Sequence, residues 1–200
     1  MLSFLACFSV AQFLAWREEY TTASMLEAEL RDQRNSQFEG QIVQVNHHAP
    51  PIHLAAMGYS CSVVIVSEIK NLGADSILDA YKLTIAVDGR ERCGDNYALP
   101  DTMTLQGTYG VIKYFNTDAL YRKTMTPIPR GGKIAGVLWF LFKDITPSAF
   151  DATSMTLCFS DVRGKRWSIK VMPGEVQHNV PLLVPGVRMG VALKQRDSQP

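Results

Sequence analysis

The ten residues Lys133 to Phe142 read Lys-Ile-Ala-Gly-Val-Leu-Trp-Phe-Leu-Phe, uncharged from Ile134 onward. Pro127, Pro129 and the Gly131-Gly132 pair lead into them, and this punctuation before a run of aromatic and branched side chains marks a strand. Neighbouring side chains on a strand point to opposite faces. Ile134, Leu138, Phe140 and Phe142 therefore share one face, and Val137, Trp139 and Leu141 share the other. Both faces are apolar, so the strand has to be covered on both sides.

Cys61 to Lys70 has the same character at its centre and ends at Asn71-Leu72-Gly73, which reads as a second inner strand. Tyr81, Leu83, Ile85 and Val87 alternate with Lys82, Thr84, Ala86 and Asp88, one face for a core and one for water. Gln41 to Val45 opens the series. Asp88-Gly89 closes the alternating strand, and an irregular stretch is expected to about Pro100. Weaker strands are expected at Thr102–Gln106, Val111–Phe115 and Leu120–Met125. Met155, Leu157 and Phe159, a turn at Asp161–Lys165, and Trp167, Ile169 and Val171 complete the pattern. Short strands with turn signals at this spacing predict an all-β fold, an immunoglobulin-like antiparallel β-sandwich over residues 37–172, preceded by an N-terminal helix. Residues 173–200, broken by Pro173-Gly174, Pro181 and Pro185-Gly186, are expected to be a mostly irregular tail whose apolar run Val180–Val187 can pack on the sandwich or on a partner.

Residues 1–36 form the third part. Met1 to Trp16 carry no charged side chain, and charge begins abruptly at Arg17-Glu18-Glu19. Sixteen residues make a helix only about 24 Å long, against the roughly 20 residues of a full span. A cleaved signal peptide would carry a basic leading region and an Ala-x-Ala site, and neither is present. Leu5-Ala6-Cys7 only loosely resembles a lipobox. Trp16 and Tyr20 stand at the far edge, where aromatic side chains favour a membrane interface, so the segment reads as an uncleaved anchor, set against a buried core helix. Tyr20, Ala23, Leu26 and Leu30 then keep a helical period to about Arg34.

The chemistry-bearing residues are few. Twenty Lys and Arg against nineteen Asp and Glu give a formal net charge of +1, without the basic footprint of a nucleic-acid binder. Arg163-Gly164-Lys165-Arg166 reads as a solvated turn. Ser67-Glu68-Ile69-Lys70 has Ser-x-x-Lys spacing, but in a strand residues three apart face opposite ways. His47, His48 and His53 cluster beside Pro50-Pro51; imidazoles this close can bind a transition metal, yet no carboxylate or cysteine lies among them, and an exposed polar loop is expected. Cys61 and Cys158 fall on the strands that an immunoglobulin-type bridge would join. Cys61 goes with Val63 and Ile65, whereas Cys158 lies opposite Leu157 and Phe159, and a disulfide needs both sulfurs in one layer, which here would take a bulge. Cys93, flanked by Arg92 and Gly94, is the expected exposed thiol. No catalytic, cofactor-binding or metal-binding residue is predicted, and no cofactor.

Phe13-Leu14-Ala15-Trp16-Arg17, the strand Val64 to Asn71, the block Pro127-Ile128-Pro129-Arg130-Gly131-Gly132 through Gly136 to Phe142, and Phe159-Ser160-Asp161 with Gly164 together carry a resemblance. The arrangement resembles the immunoglobulin-like domains of unknown function found on membrane-anchored or lipid-anchored bacterial and phage-encoded proteins, including the telokin-like group. It covers roughly Ile42 to Val171 and implies a fold and a membrane-proximal setting, not a reaction.

The expectation for function is a membrane-tethered, non-enzymatic protein-interaction module with a single N-terminal anchor at residues 1–16, an unidentified protein partner and no nucleic acid. The alternative is a soluble structural or assembly component, of phage or secretion type, whose apolar N-terminal helix packs on a neighbouring subunit.

Overall fold

The computed structural model describes residues 21–22, 24–27, 35–107 and 110–193. Thr21–Thr22 and Ser24–Glu27 are helical; the rest of the expected anchor and helix lies outside the described residues. Among the described residues no helix is long and apolar enough to cross a membrane.

The chain is mostly strand. In order come β1 (Phe38–His48), the helical turn α1 (Ile52–Ala55), β2 (Cys61–Asn71), β3 (Leu78–Val87), β4 (Arg90–Tyr97), β5 (Thr102–Gly107) and β6 (Gly110–Phe115). The turn α2 (Leu120–Lys123), β7 (Lys133–Phe142), β8 (Met155–Asp161), β9 (Arg166–Val171), β10 (Gln177–His178) and β11 (Met189–Leu193) follow. One eight-stranded sheet runs β10-β1-β2-β7-β4-β3-β8-β9, and a second runs β11-β6-β5. Among the described strands every pairing is antiparallel except that of β1 with β10, so the large sheet is mixed.

The large sheet curls because β4 serves both of its halves. Arg90–Gly94 pair with β3, and Asp95–Tyr97 pair with β7. At Gly94 an added Cβ would stand 2.6 Å from the Phe142 ring, so only glycine lets β4 lie this close to β7. The two halves enclose a first core of Val63, Ile65, Leu83, Ile85, Leu138, Phe140, Phe142, Leu157 and Phe159 among others. On the other side of β2 and β7, Val64, Val66, Val137, Trp139 and Leu141 meet Met103, Leu105, Ile112 and Tyr114 of the small sheet in a second core. Strands β2 and β7 are thus the middle layer of three. That is the physical sense of their two apolar faces, and the split of β7 side chains between the cores follows the alternation read from the sequence.

The result is a β-sandwich-like, all-β fold, compatible with an immunoglobulin-like domain. Three local expectations are corrected. The stretch expected to be irregular up to Pro100 contains β4, whose side chains are all exposed or half-buried, the one buried residue being Gly94, so no apolar alternation announced it. Leu120–Met125 is not a strand: α2 occupies Leu120–Lys123, with Leu120 buried against Gly136 of β7. His47 and His48 belong to β1, not to an exposed loop.

Residues 174–193 are largely without regular structure but adhere to the sandwich. β10 pairs with β1, β11 pairs with β6, and Val184 is buried in the second core.

Candidate functional site

The end of β1 presents side chains to both layers it separates. Gln44 and Asn46 reach the second core, where both amides donate to the Tyr114 hydroxyl. Gln44 Oε1 accepts the Leu182 backbone N–H at 3.3 Å, which ties the C-terminal segment to the same point. His47 points the other way. Its ring stacks on Phe150 of the first core, with centroids 5.7 Å apart.

His47 is not accompanied by the histidines next to it in the sequence. His48 follows it on the alternating strand, with Nδ1 buried and unpartnered; burial, and secondarily the neighbouring His47, lower its pKa to about 4, so it stands as a neutral ring. His53 is exposed on α1. The partners of His47 come from elsewhere in the chain. Its Nε2 lies 2.9 Å from Asp151 Oδ1, on the 3-10 turn Pro147–Ala152. His178 of β10 places Nδ1 3.6 Å from the same oxygen.

Parallel pairing positions this group. Val45 is the register partner of His178, the Asn179 N–H donates to the Val45 carbonyl at 2.9 Å, and the His47 N–H donates to Asn179 Oδ1 at 2.9 Å. Asn179 takes a left-handed backbone, φ 55°, a conformation asparagine tolerates better than most residues. The His47 and His178 side chains are 4% and 14% exposed and that of Asp151 58%, so the group is closed on the protein side and open at the carboxylate. Burial, then the neighbouring His47, depress the His178 pKa against the opposing pull of Asp151. The three ligand-type atoms lie within 4.8 Å of one another. Sequence spacing could not show this: Asp151 is 104 residues from His47.

The other candidates keep structural roles. Ser67 is buried and donates to the Gln41 carbonyl at 3.0 Å, while Lys70 is exposed on the same strand. Cys61 is a free thiol in the first core, pushed up to about 12 by burial. Cys158 is free on the outer face of β8, and Cys93 is exposed on β4. Asp161 braces the turn it opens, accepting the N–H groups of Arg163 and Lys165 at 2.9 Å each and the Ser36 hydroxyl.

Two half-buried tyrosines, Tyr59 and Tyr97, border the second core beside its buried Trp139. Tyr97 meets Tyr59 and Trp139 edge-on, the Tyr59 hydroxyl donates to Asp95 at 2.8 Å, and Lys143 Nζ stands 5.1 Å from the Tyr59 ring. Strand β5 ends the small sheet: its buried Met103 and Leu105 fix it to the second core, Thr102 and Thr104 face solvent, and no described strand pairs with its outer edge.

Comparison with protein-family models, with curated proteins and with solved structures found no match to the chain.

Proposed function

We propose that the chain is a non-enzymatic protein-interaction module, an immunoglobulin-like sandwich tethered to a membrane by its apolar N-terminal segment. The fold part rests on strand order. β1-β2-β7 with the far half of β4 correspond to one immunoglobulin sheet, and β3-β8-β9 to the other. The small sheet is then an addition inserted between β4 and β7 and completed by the C-terminal segment. The tether is supported by the uncharged run Met1 to Trp16.

The observation that carries the interaction reading is the outer edge of β5. A strand held firmly by its inward side chains, with an edge left without a described neighbour, is a template for an extended segment of another protein. Tyr59 and Tyr97, half-buried at the rim of the second core, add a residue type in which interfaces are enriched.

The test uses the full chain isolated from its native cells. The wild type is expected in the membrane fraction, released by detergent as an assembly larger than one chain that contains a second polypeptide. Thr102→Lys with Thr104→Lys, which puts two cations on the edge strand, is expected to reduce the assembly to the free chain. Equal assembly size in both proteins removes the edge from the account, and recovery of the wild type in the soluble fraction without detergent removes the tether.

A further inference from the structure

We infer that His47, His178 and Asp151 form a binding site for a divalent transition-metal ion, one that clips the C-terminal segment to the sandwich. The site stands independently of the interaction reading.

The donor set is two imidazoles and one carboxylate, the mixture that suits zinc and its neighbours in the transition series, whereas magnesium and calcium take oxygen ligands. The spacing fits. Zinc bonds of about 2.0–2.2 Å in a tetrahedron hold ligand atoms roughly 3.3–3.5 Å apart. Asp151 Oδ1 stands 2.9 Å from His47 Nε2 and 3.6 Å from His178 Nδ1, both close to that separation, and all the ligand atoms lie within 4.8 Å of one another.

A second observation points into the same space. His178 Nδ1 is buried and has no hydrogen-bond partner; buried polar atoms in native proteins are rarely left so, and an ion between the three groups would satisfy this nitrogen. The two rings are also restrained in advance. Phe150 stacks on His47 and the two imidazoles lie 5.4 Å apart between centroids; the Asn179 amide, 3.3 Å from His47 Nε2, has to turn aside for that lone pair to reach an ion. The exposed side at Asp151 leaves a fourth position for water, the pattern of three protein ligands plus solvent.

The ion would join three segments remote in sequence: the end of β1, the Pro147–Ala152 turn, and β10. β10 has only two residues, and the other anchors of the segment, Val184 and β11, lie further along the chain, so a metal clip at β10 would hold the stretch just after Pro173.

The experiment is calorimetric titration of the chelator-treated full chain with Zn2+, with Co2+ absorption as a coordination probe and limited proteolysis between Pro173 and Asn179 as a mechanical readout. One ion per chain is expected, with a visible Co2+ spectrum of low coordination number and slower cleavage when zinc is bound. His178→Ala and, separately, Asp151→Asn are expected to weaken binding by more than the 10- to 100-fold typical of losing an outer-shell partner. His53→Ala, on an exposed residue outside the group, should leave it unchanged. Circular dichroism of the metal-free variants shows whether each is folded, and Asp151→Asn, which keeps a hydrogen-bonding side chain, serves if His178→Ala is not. Absence of stoichiometric binding, or binding indifferent to both variants, overturns the assignment.

Discussion

The Tyr114 hydroxyl on β6 accepts the Gln44 amide of β1 at 3.1 Å in an interior from which water is excluded. Asn46 donates to the same oxygen. This contact fixes the small sheet to β1 of the large sheet, a second polar tie in a core that also holds the buried hydrogen bond from the Trp139 indole to Ser62. Tyr114→Phe keeps the ring and leaves two buried amide donors without an acceptor, which costs about 1–3 kcal/mol. Denaturant unfolding is expected to show that loss; a change within about 0.5 kcal/mol, the range of ordinary surface substitutions, would mean the hydroxyl does not organise the interface.

Gly136 carries a different constraint. A Cβ there would stand 2.6 Å from the Leu120 Cα on α2, a backbone atom that cannot swing aside. Gly136→Ala is therefore expected to destabilise the protein by about 1–3 kcal/mol, as overpacking does, although alanine is otherwise the better strand residue of the two. Thermal unfolding checks this, and a neutral or higher midpoint would place α2 further from β7.

The turn at Asp161 makes stability acid-dependent. Burial alone would raise this carboxyl, but the Ser36 hydroxyl, the backbone N–H groups of Lys165 and Arg163 and the Arg163 charge outweigh it and hold the pKa below the usual value. The sign follows: the folded state binds the proton less readily than the unfolded one. The contribution is complete above the unfolded value of about 3.9 and is lost as pH falls through the lower folded value. Asp161→Asn is expected to unfold more easily at neutral pH, by about 1–3 kcal/mol, with a shallower decline in acid. An unchanged acid limb would show that the carboxylate does not brace the turn.

Thiol labelling separates the faces of β2, β4 and β8. Cys93 is expected to react first with an alkylating reagent at mildly alkaline pH, Cys158 more slowly, and Cys61 only on unfolding, because burial both shields it and raises its thiol to about 12. Peptide mapping by mass spectrometry gives the order. Early labelling of Cys61, or a Cys61–Cys158 disulfide, would contradict the strand faces described above.

How much of this was legible differs by element. In β2 and β7, period-2 alternation with no polar face signals a middle layer, and the side-chain split of β7 could be read residue by residue. The parity that separates Cys61 from Cys158 came from the same rule. β4 was hidden because Arg90-Glu91-Arg92-Cys93-Gly94-Asp95-Asn96-Tyr97 buries almost nothing but a glycine, and its pairing depends on sheet curvature instead of side-chain pattern. Leu120, Tyr121 and Arg122 fit a short strand as well as a helical turn, and contact with Gly136 decides between them. The group around His47 was illegible for a topological reason. Its members are brought together by parallel pairing of β10 with β1, which no local spacing encodes. Buried histidine in β1 also defeats the expectation that polar residues beside two prolines lie in a loop.

The interaction reading is tested most directly by a photoreactive amino acid placed at Thr104 on the solvent face of β5, with Ser168 on exposed β9 as the comparison, in full-length chain expressed in its native cells. A discrete cross-linked protein adduct is expected from position 104 and not from position 168. No adduct at 104, or the same adduct from both positions, would contradict it.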